Sequence, residues 1–226
     1  MTSGLFECFP DKTGRLLICI VLAVAGWSLS LMIPPMQSPD ENQHVARAHL
    51  LAHGALSLST LPGRNSGGWV DVGLVAFMNG YMTLPGNPAR RLSSGERSQL
   101  DQEKWHGEGS RVYYEMPGTG YYLPLAYLPH AAGLRGGELL GLSVGRSYGL
   151  TRILVLLTCL SLCALSFSLH RPPPLVIAVL LLPMSVFQLL SPSLDGITTS
   201  LALVATSVFL YGFDEDQVWP RWASWT

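Results

Sequence analysis

Long runs of uncharged, apolar residues flank one long polar segment of this chain. The first run covers about residues 16–33, LLICIVLAVAGWSLSLMI. Its 18 residues extend roughly 27 Å as a helix, close to the thickness of a bilayer core. Three further runs lie at about residues 147–169, 174–190 and 196–213. This pattern predicts an all-α integral membrane protein with about four transmembrane helices.

A secretory signal peptide is the alternative interpretation of the first run, because basic residues precede it. The run is long for a signal sequence, however, and the following residues, MIPPM, are a poor cleavage site. These two features favour a retained membrane span.

The polar segment covers about residues 34–146 and is rich in Gly, Pro, Ser and Arg. Its middle predicts irregular loop. Near its start, residues 40–54 place Val45, Ala48 and Leu51 on one side of a helix. Near its end, YYLPLAYLPHAAGL is apolar but interrupted by two prolines, which favours a helix at the membrane interface or a re-entrant segment.

Basic residues near the ends of the apolar runs predict the orientation. Lys12 and Arg15 precede the first run, while Arg171 and Arg221 follow the second and fourth. Long loops are exempt from the positive-inside rule, so the basic residues in these short flanking segments determine the predicted orientation. The N-terminus is therefore expected in the cytoplasm and the long polar segment outside it.

Composition agrees with a single membrane domain over residues 1–226. The chain is 48% hydrophobic and 13% charged, whereas soluble domains are about 25% charged. Its net charge of −1 gives no reason to expect nucleic acid as a partner. The polar segment contains no cysteine, which argues against a disulfide framework. Phosphate-binding glycine loops and an HExxH motif are also absent from the sequence.

An acidic segment, PPMQSPDENQH, directly follows the first run. Helix capping explains part of it, with Ser38 as N-cap and Glu41 completing a capping box. Capping requires neither Asp40 nor His44, which share a helix face at a spacing of four residues. A carboxylate here could act as a general base, or bind a divalent cation together with Glu41 or His44.

Asp195 and three arginines are further candidates. Asp195 begins the fourth run, where capping beside Ser193 is the alternative to a functional role, and an ionisable residue at a membrane boundary is costly unless it is solvated or paired. Arg47, Arg146 and Arg152 could contact lipid headgroups or receive the phosphate of a lipid-linked donor.

Three separated motifs resemble a bacterial membrane-protein family named domain of unknown function 2142. They are PPMQSPDENQHVARAHLLAHG, then YYLPLAYLPHAAGL followed by an arginine-containing span, then LLPMSVFQLLSPSLDGITTSLAL. The motifs occur in the family's order, and the resemblance covers nearly the whole chain. It implies a multi-pass protein of the bacterial inner membrane. Family members usually have many more helices, so this chain is expected to be an N-terminal portion.

That family is similar to the C-type (GT-C) membrane glycosyltransferases. The resemblance implies transfer of a sugar from a polyprenyl-phosphate donor to a cell-envelope glycan or lipid acceptor outside the cytoplasm. By position, Asp40 is the implied general base and Glu41 its acidic neighbour. A divalent metal stays open as a cofactor. The other residues implied to contact substrate are His44, Arg47, Arg146, Arg152 and Asp195.

Two other function classes stay open. A non-enzymatic membrane subunit for assembly or transport of an envelope polymer would use the acidic segment for capping alone. A secondary transporter is less favoured, because four spans without an internal repeat are few for that class. In each case membrane lipids are expected partners, and the enzyme would also bind a polyprenyl-linked sugar and a glycan acceptor.

Overall fold

A computed structural model describes residues 12–107 and 109–212, so Cys8 and Arg221 lie outside the described residues. The helices are α1 (Lys12–Met32), α2 (Glu41–Ala52), α3 (Val72–Tyr81), α4 (Ser94–Asp101), α5 (Leu128–Leu139), α6 (Val144–Leu169), α7 (Pro174–Leu180), α8 (Pro183–Leu190) and α9 (Asp195–Gly212). The strands are β1 (Gly67–Asp71) and β2 (Arg111–Glu115), and short 3-10 helices cover Pro117–Thr119 and Pro124–Tyr127.

Helices α1 and α6 are long and apolar enough to cross a membrane, and each has a mean hydropathy of 2.1. They confirm the first and second predicted spans. Helices α8 and α9 meet the same criterion only together, and their axes are bent by 103°. The described chain therefore has two candidate spans, or three if the bent pair is one span.

The expectation of four spans is too high for the described chain. The third predicted span, residues 174–190, is divided between α7 and α8. Proline lacks an N–H group and its ring clashes with the carbonyl four residues earlier. The helix therefore ends at Leu180 and begins again at Pro183. Helix α9 covers the fourth predicted span but follows the sharp bend.

The prediction of irregular loop in the middle of the polar segment is only partly right: residues 61–66 and 82–93 are irregular, but β1, α3 and α4 lie between and after them. Strands β1 and β2 pair antiparallel from Gly67↔Glu115 to Asp71↔Arg111, and the chain is therefore not all-α. Asp71 also begins α3: its carboxylate accepts hydrogen bonds from the N–H groups of Gly73, His106 and Gly107. The predicted helix at residues 40–54 is confirmed as α2.

Two hydrophobic cores share helix α6. The core of the polar segment, which we call the outer domain, includes Val45, Leu74, Phe77, Tyr127, Val144, Tyr148 and Leu194. The core among the membrane helices includes Leu22, Cys159, Cys163, Phe167, Leu190 and Ile197. Since α6 contributes to both, it fixes the outer domain relative to the membrane helices.

Polar contacts hold the neighbours of α6 in place. Arg15 near the start of α1 donates a hydrogen bond to the carbonyl of Phe167 near the end of α6, so the two helices are antiparallel. On the other side, the hydroxyls of Ser166 and Ser207 lie 2.7 Å apart between α6 and α9. Small polar side chains of this kind are typical of helix contacts within membranes.

Close approach of α5 to α6 depends on Gly133. An added Cβ there would lie 2.5 Å from Cα of Thr151, whereas at Gly136 the nearest atom would be 3.9 Å away.

We expect Gly133→Ala to lower the free energy of unfolding by about 2 kcal/mol, because the backbone of α5 or α6 must shift to make room for the added methyl group. The control, Gly136→Ala, should leave it unchanged or raise it by up to about 1 kcal/mol. Thermal unfolding in detergent measures both, and equal stability of the two variants would contradict this packing.

Candidate functional site

The turn between α1 and α2 has an unusual backbone. Met36 and Asp40 have φ values of 59° and 53°, in the left-handed region that non-glycine residues rarely adopt. Asp40 is the N-cap of α2, and its exposed carboxylate accepts a hydrogen bond from Gln43 at 3.2 Å. The surrounding fold must stabilise this conformation, and such outliers are frequent at functional sites.

The predicted capping box forms only in part. Ser38 is not the N-cap, and its hydroxyl donates to Oε1 of Gln188 at 3.1 Å instead. The carboxylate of Glu41 does accept from the backbone N–H of Ser38, at 3.0 Å. The Ser38 hydroxyl, which the sequence assigned to the N-cap of α2, therefore makes a long-range contact with Gln188 instead.

Glu41 is buried, with 1% of its surface exposed. One carboxylate oxygen accepts from Ser38, and the other accepts from the hydroxyl of Tyr148 on α6. Both oxygens thus have donors within the protein. The two adjacent carboxylates differ sharply, because Asp40 is exposed while Glu41 joins α2 to a membrane-spanning helix.

His44 lies within electrostatic range of two exposed carboxylates, those of Asp40 and Asp195. Its Nδ1 is 2.8 Å from the hydroxyl of Tyr127. Burial lowers the pKa of His44, and the charges of Asp195 and Asp40 oppose that shift. Both carboxylates are thus near enough to interact electrostatically with the same imidazole. The structure brings together the predicted residues Asp40, His44 and Asp195, which we call the acidic cluster.

His130 holds the part of the chain that carries Asp195. It is fully buried on α5, and its Nε2 donates to the carbonyl of Ser193 at 3.2 Å. That contact fixes the short segment from which Asp195 begins α9. Sequence reasoning missed His130 and Tyr127 as site residues, although both belong to the motif YYLPLAYLPH, where an apolar segment carries polar groups.

The described residues do not fit a divalent metal. Within residues 12–107 and 109–212, no three or more His, Cys, Asp or Glu side chains are grouped so that they could hold an ion.

Arg47 holds the chain after α2. The guanidinium is buried and donates to the carbonyls of Ala55 and Leu56, at 3.1 and 2.5 Å. Its Cζ is 6.0 Å from the centre of the Tyr127 ring, so it lies beside the partner of His44. Arg47 also lines a cavity of about 420 Å³ whose other lining residues include Ser57, Ser66, Tyr121 and Tyr122.

Arg146 and Arg152 lie elsewhere. They line a groove of about 780 Å³ between α1, α4 and α6, which we call the arginine groove. Asp40, His44 and Asp195 do not line it. Asp195 instead lines a groove of about 290 Å³ between α8 and α9. The predicted substrate-binding residues thus divide into two groups.

Burial lowers the pKa of His130 to about 4, with a smaller contribution of the same sign from His44 and an opposing one from the Ser193 carbonyl. An unfolded histidine titrates near 6.5, so between pH 6.5 and 4 the unfolded chain binds more protons. The free energy of unfolding should therefore fall as pH drops, by about 2 kcal/mol from pH 7 to pH 5 for this residue.

Urea unfolding of the detergent-solubilised protein at pH 7 and pH 5 measures the loss. His130→Gln retains a donor for Ser193 and should lose less stability in acid than the native protein. Identical pH dependence of His130→Gln and the native protein would refute a neutral, buried His130.

Comparison with known proteins returns one family. No curated protein and no solved structure matches the chain at a significant level. The model of a family described as predicted membrane protein, domain of unknown function 2142, matches residues 21–225. That range contains all of α6, α1 from Val21 to its end at Met32, and the whole acidic cluster. The chain therefore belongs to the family of predicted membrane proteins named domain of unknown function 2142.

Proposed function

We propose that this protein takes part in transfer of a sugar from a polyprenyl-phosphate donor to a hydroxyl group of a cell-envelope acceptor, on the non-cytoplasmic side of the bacterial inner membrane. One observation carries the proposal. Asp40 is an exposed carboxylate in a left-handed backbone conformation, beside His44 and Asp195, eight residues after a membrane-spanning helix ends at Met32.

Asp40 is the general base in this proposal. A base needs a carboxylate oxygen that a substrate hydroxyl can reach. Both oxygens of Glu41 have donors within the protein, whereas Asp40 accepts a single long hydrogen bond from Gln43. The difference between the two neighbours supports Asp40 as the reacting group and Glu41 as the group that holds it in position.

The reaction forms one glycosidic bond and breaks another. Asp40 removes the proton of the acceptor hydroxyl, and that oxygen attacks the anomeric carbon of the donor sugar. The bond from this carbon to the phosphate oxygen breaks, and its electron pair leaves with the lipid phosphate. The attack inverts the anomeric centre. Asp40 then releases its proton to solvent.

Neighbouring groups support binding of sugar. Asp195 can accept hydrogen bonds from sugar hydroxyls, and His44 with its lowered pKa does so without adding charge. The cavity at Arg47 adjoins this cluster, since the ring centre of Tyr122 is 5.5 Å from that of His44. Tyrosine rings and serine hydroxyls offer the apolar faces and hydrogen bonds that a sugar ring requires.

The positive charge of Arg47 also favours this cavity as the place where the sugar donor binds. Arg47 is three residues after His44 on α2, and in this proposal its positive charge offsets negative charge on the departing phosphate. Nη1 and Nη2 each donate to a backbone carbonyl, which fixes the guanidinium, and in this proposal its charge acts on the phosphate through its electrostatic field.

Asp40→Asn tests the proposal. Asparagine has the same shape and tolerates the left-handed region, so the variant should fold and reach native levels in the membrane. Transfer should fall by about 10²-fold or more, because no base remains. Membranes containing each variant are supplied with radiolabelled, polyprenyl-linked sugars, and label in the envelope fraction is counted. Glu103→Gln, outside the acidic cluster, is the matched control and should transfer at the native rate.

Undiminished label from a well-expressed Asp40→Asn variant would rule out the catalytic role. It would favour the non-enzymatic alternative, a membrane subunit for assembly or transport of an envelope polymer. Asparagine is as good an N-cap as aspartate, so a purely structural Asp40 tolerates this change.

A further inference from the structure

The arginine groove combines two kinds of surface at the end of α1. Apolar residues of the two membrane-spanning helices form one part, and arginines form the other. The apolar residues are Trp27, Leu31, Ile33, Leu150 and Ile153, and the arginines are Arg97, Arg146 and Arg152, with Asp101 as a carboxylate among them. Trp27 and Leu31 are 52% and 64% exposed, so no other part of the described chain covers this wall.

Arg152 is buried in the groove with donors unused. Only 4% of its surface is exposed. Nη1 donates to the carbonyls of Ser30 and Ile33, at 3.1 and 2.9 Å, while Nε and Nη2 are buried and find no partner among the described residues. A buried charge with unsatisfied donors is costly unless an anion pairs with it. The guanidinium also lies over the Tyr148 ring, with Cζ 5.4 Å from the ring centre, but this contact leaves the hydrogen-bonding capacity of Nε and Nη2 unused.

The rest of the groove strengthens the positive charge. Arg146 is exposed, six residues before Arg152 on α6, and forms no ion pair with any residue that the structure describes. Arg97 lies 3.8 Å from Asp101 in a loose, exposed pair. Three guanidinium groups thus face one carboxylate, which leaves the groove positive.

The position of Arg152 relative to the membrane boundary indicates which kind of anion the groove binds. The carbonyls that Arg152 holds belong to the last turn of α1 and the residue just after it, where a spanning helix meets the membrane boundary. Lipid phosphates lie at that level, tryptophan is enriched there, and guanidinium groups bind phosphate through paired donors. Below the arginines, the exposed apolar wall continues along α1 into the bilayer.

We propose that the arginine groove binds an anionic glycerophospholipid of the bilayer. Its phosphate lies against Arg152 and Arg146, and its acyl chains lie along Trp27 and Leu31. The acidic cluster does not line the groove, so this lipid is a bound structural partner and not the molecule that reacts. The inference goes beyond the proposed function and stands without it.

Native mass spectrometry of the full chain, released from nanodiscs of equal phosphatidylglycerol and phosphatidylcholine, tests the site. Phosphatidylglycerol should be retained about fivefold over phosphatidylcholine, because arginine favours the anionic headgroup. Arg146→Gln should remove most of that preference, and its exposed side chain makes the variant safe for folding. Arg91→Gln, an exposed arginine outside the groove, is the matched control and should keep it. A photoreactive phosphatidylglycerol should label residues 27–33 in the native chain.

Three results would overturn the proposal. They are equal retention of the two lipids, an undiminished preference in Arg146→Gln, and displacement of phosphatidylglycerol by an equimolar amount of polyprenyl phosphate. The last result would assign the groove to the sugar donor instead. None of these results changes the outcome expected for Asp40→Asn, so failure of one proposal does not imply failure of the other.

Discussion

A buried carboxylate organises the junction between membrane helices and outer domain. Glu41 accepts hydrogen bonds from Tyr148 on α6 and from the backbone of Ser38, and both of its oxygens are thereby satisfied. Burial of a carboxylate is costly without such partners, so the start of α2 can occupy only this place on α6. The turn after α1 must close over a short distance as a result, which accounts for the positive φ of Asp40 and for its exposure.

The acidic cluster depends on contacts between distant parts of the chain. Asp40 and His44 lie at the start of α2, whereas Asp195 begins α9, and no local pattern joins them. His44 contacts Tyr127, and His130 three residues later contacts Ser193, so one short stretch of polypeptide links the two ends of the cluster. His44 and the segment before Asp195 are therefore both held by this stretch of aromatic and histidine residues.

Hydropathy predicted α1 and α6, and side-chain periodicity predicted α2, because each depends on local sequence alone. The strands were not predicted, since β1 is a five-residue segment whose pairing partners lie at least 40 residues away in the sequence. The division of residues 174–190 could have been predicted from Pro183. The burial of Glu41 could not, because it depends on a hydrogen bond from Tyr148, which lies 107 residues later in the chain.

The core of the outer domain also contains Val144, Tyr148 and Leu194, which belong to α6 and to the segment before α9. A ribosome must therefore complete both of these segments before that core can close. Until then the polar segment, including the acidic segment, lacks side chains that its own core requires. The order of synthesis thus delays closure of this core until the second membrane helix and the segment before α9 have been made, so the acidic cluster is among the last parts of the described chain to form.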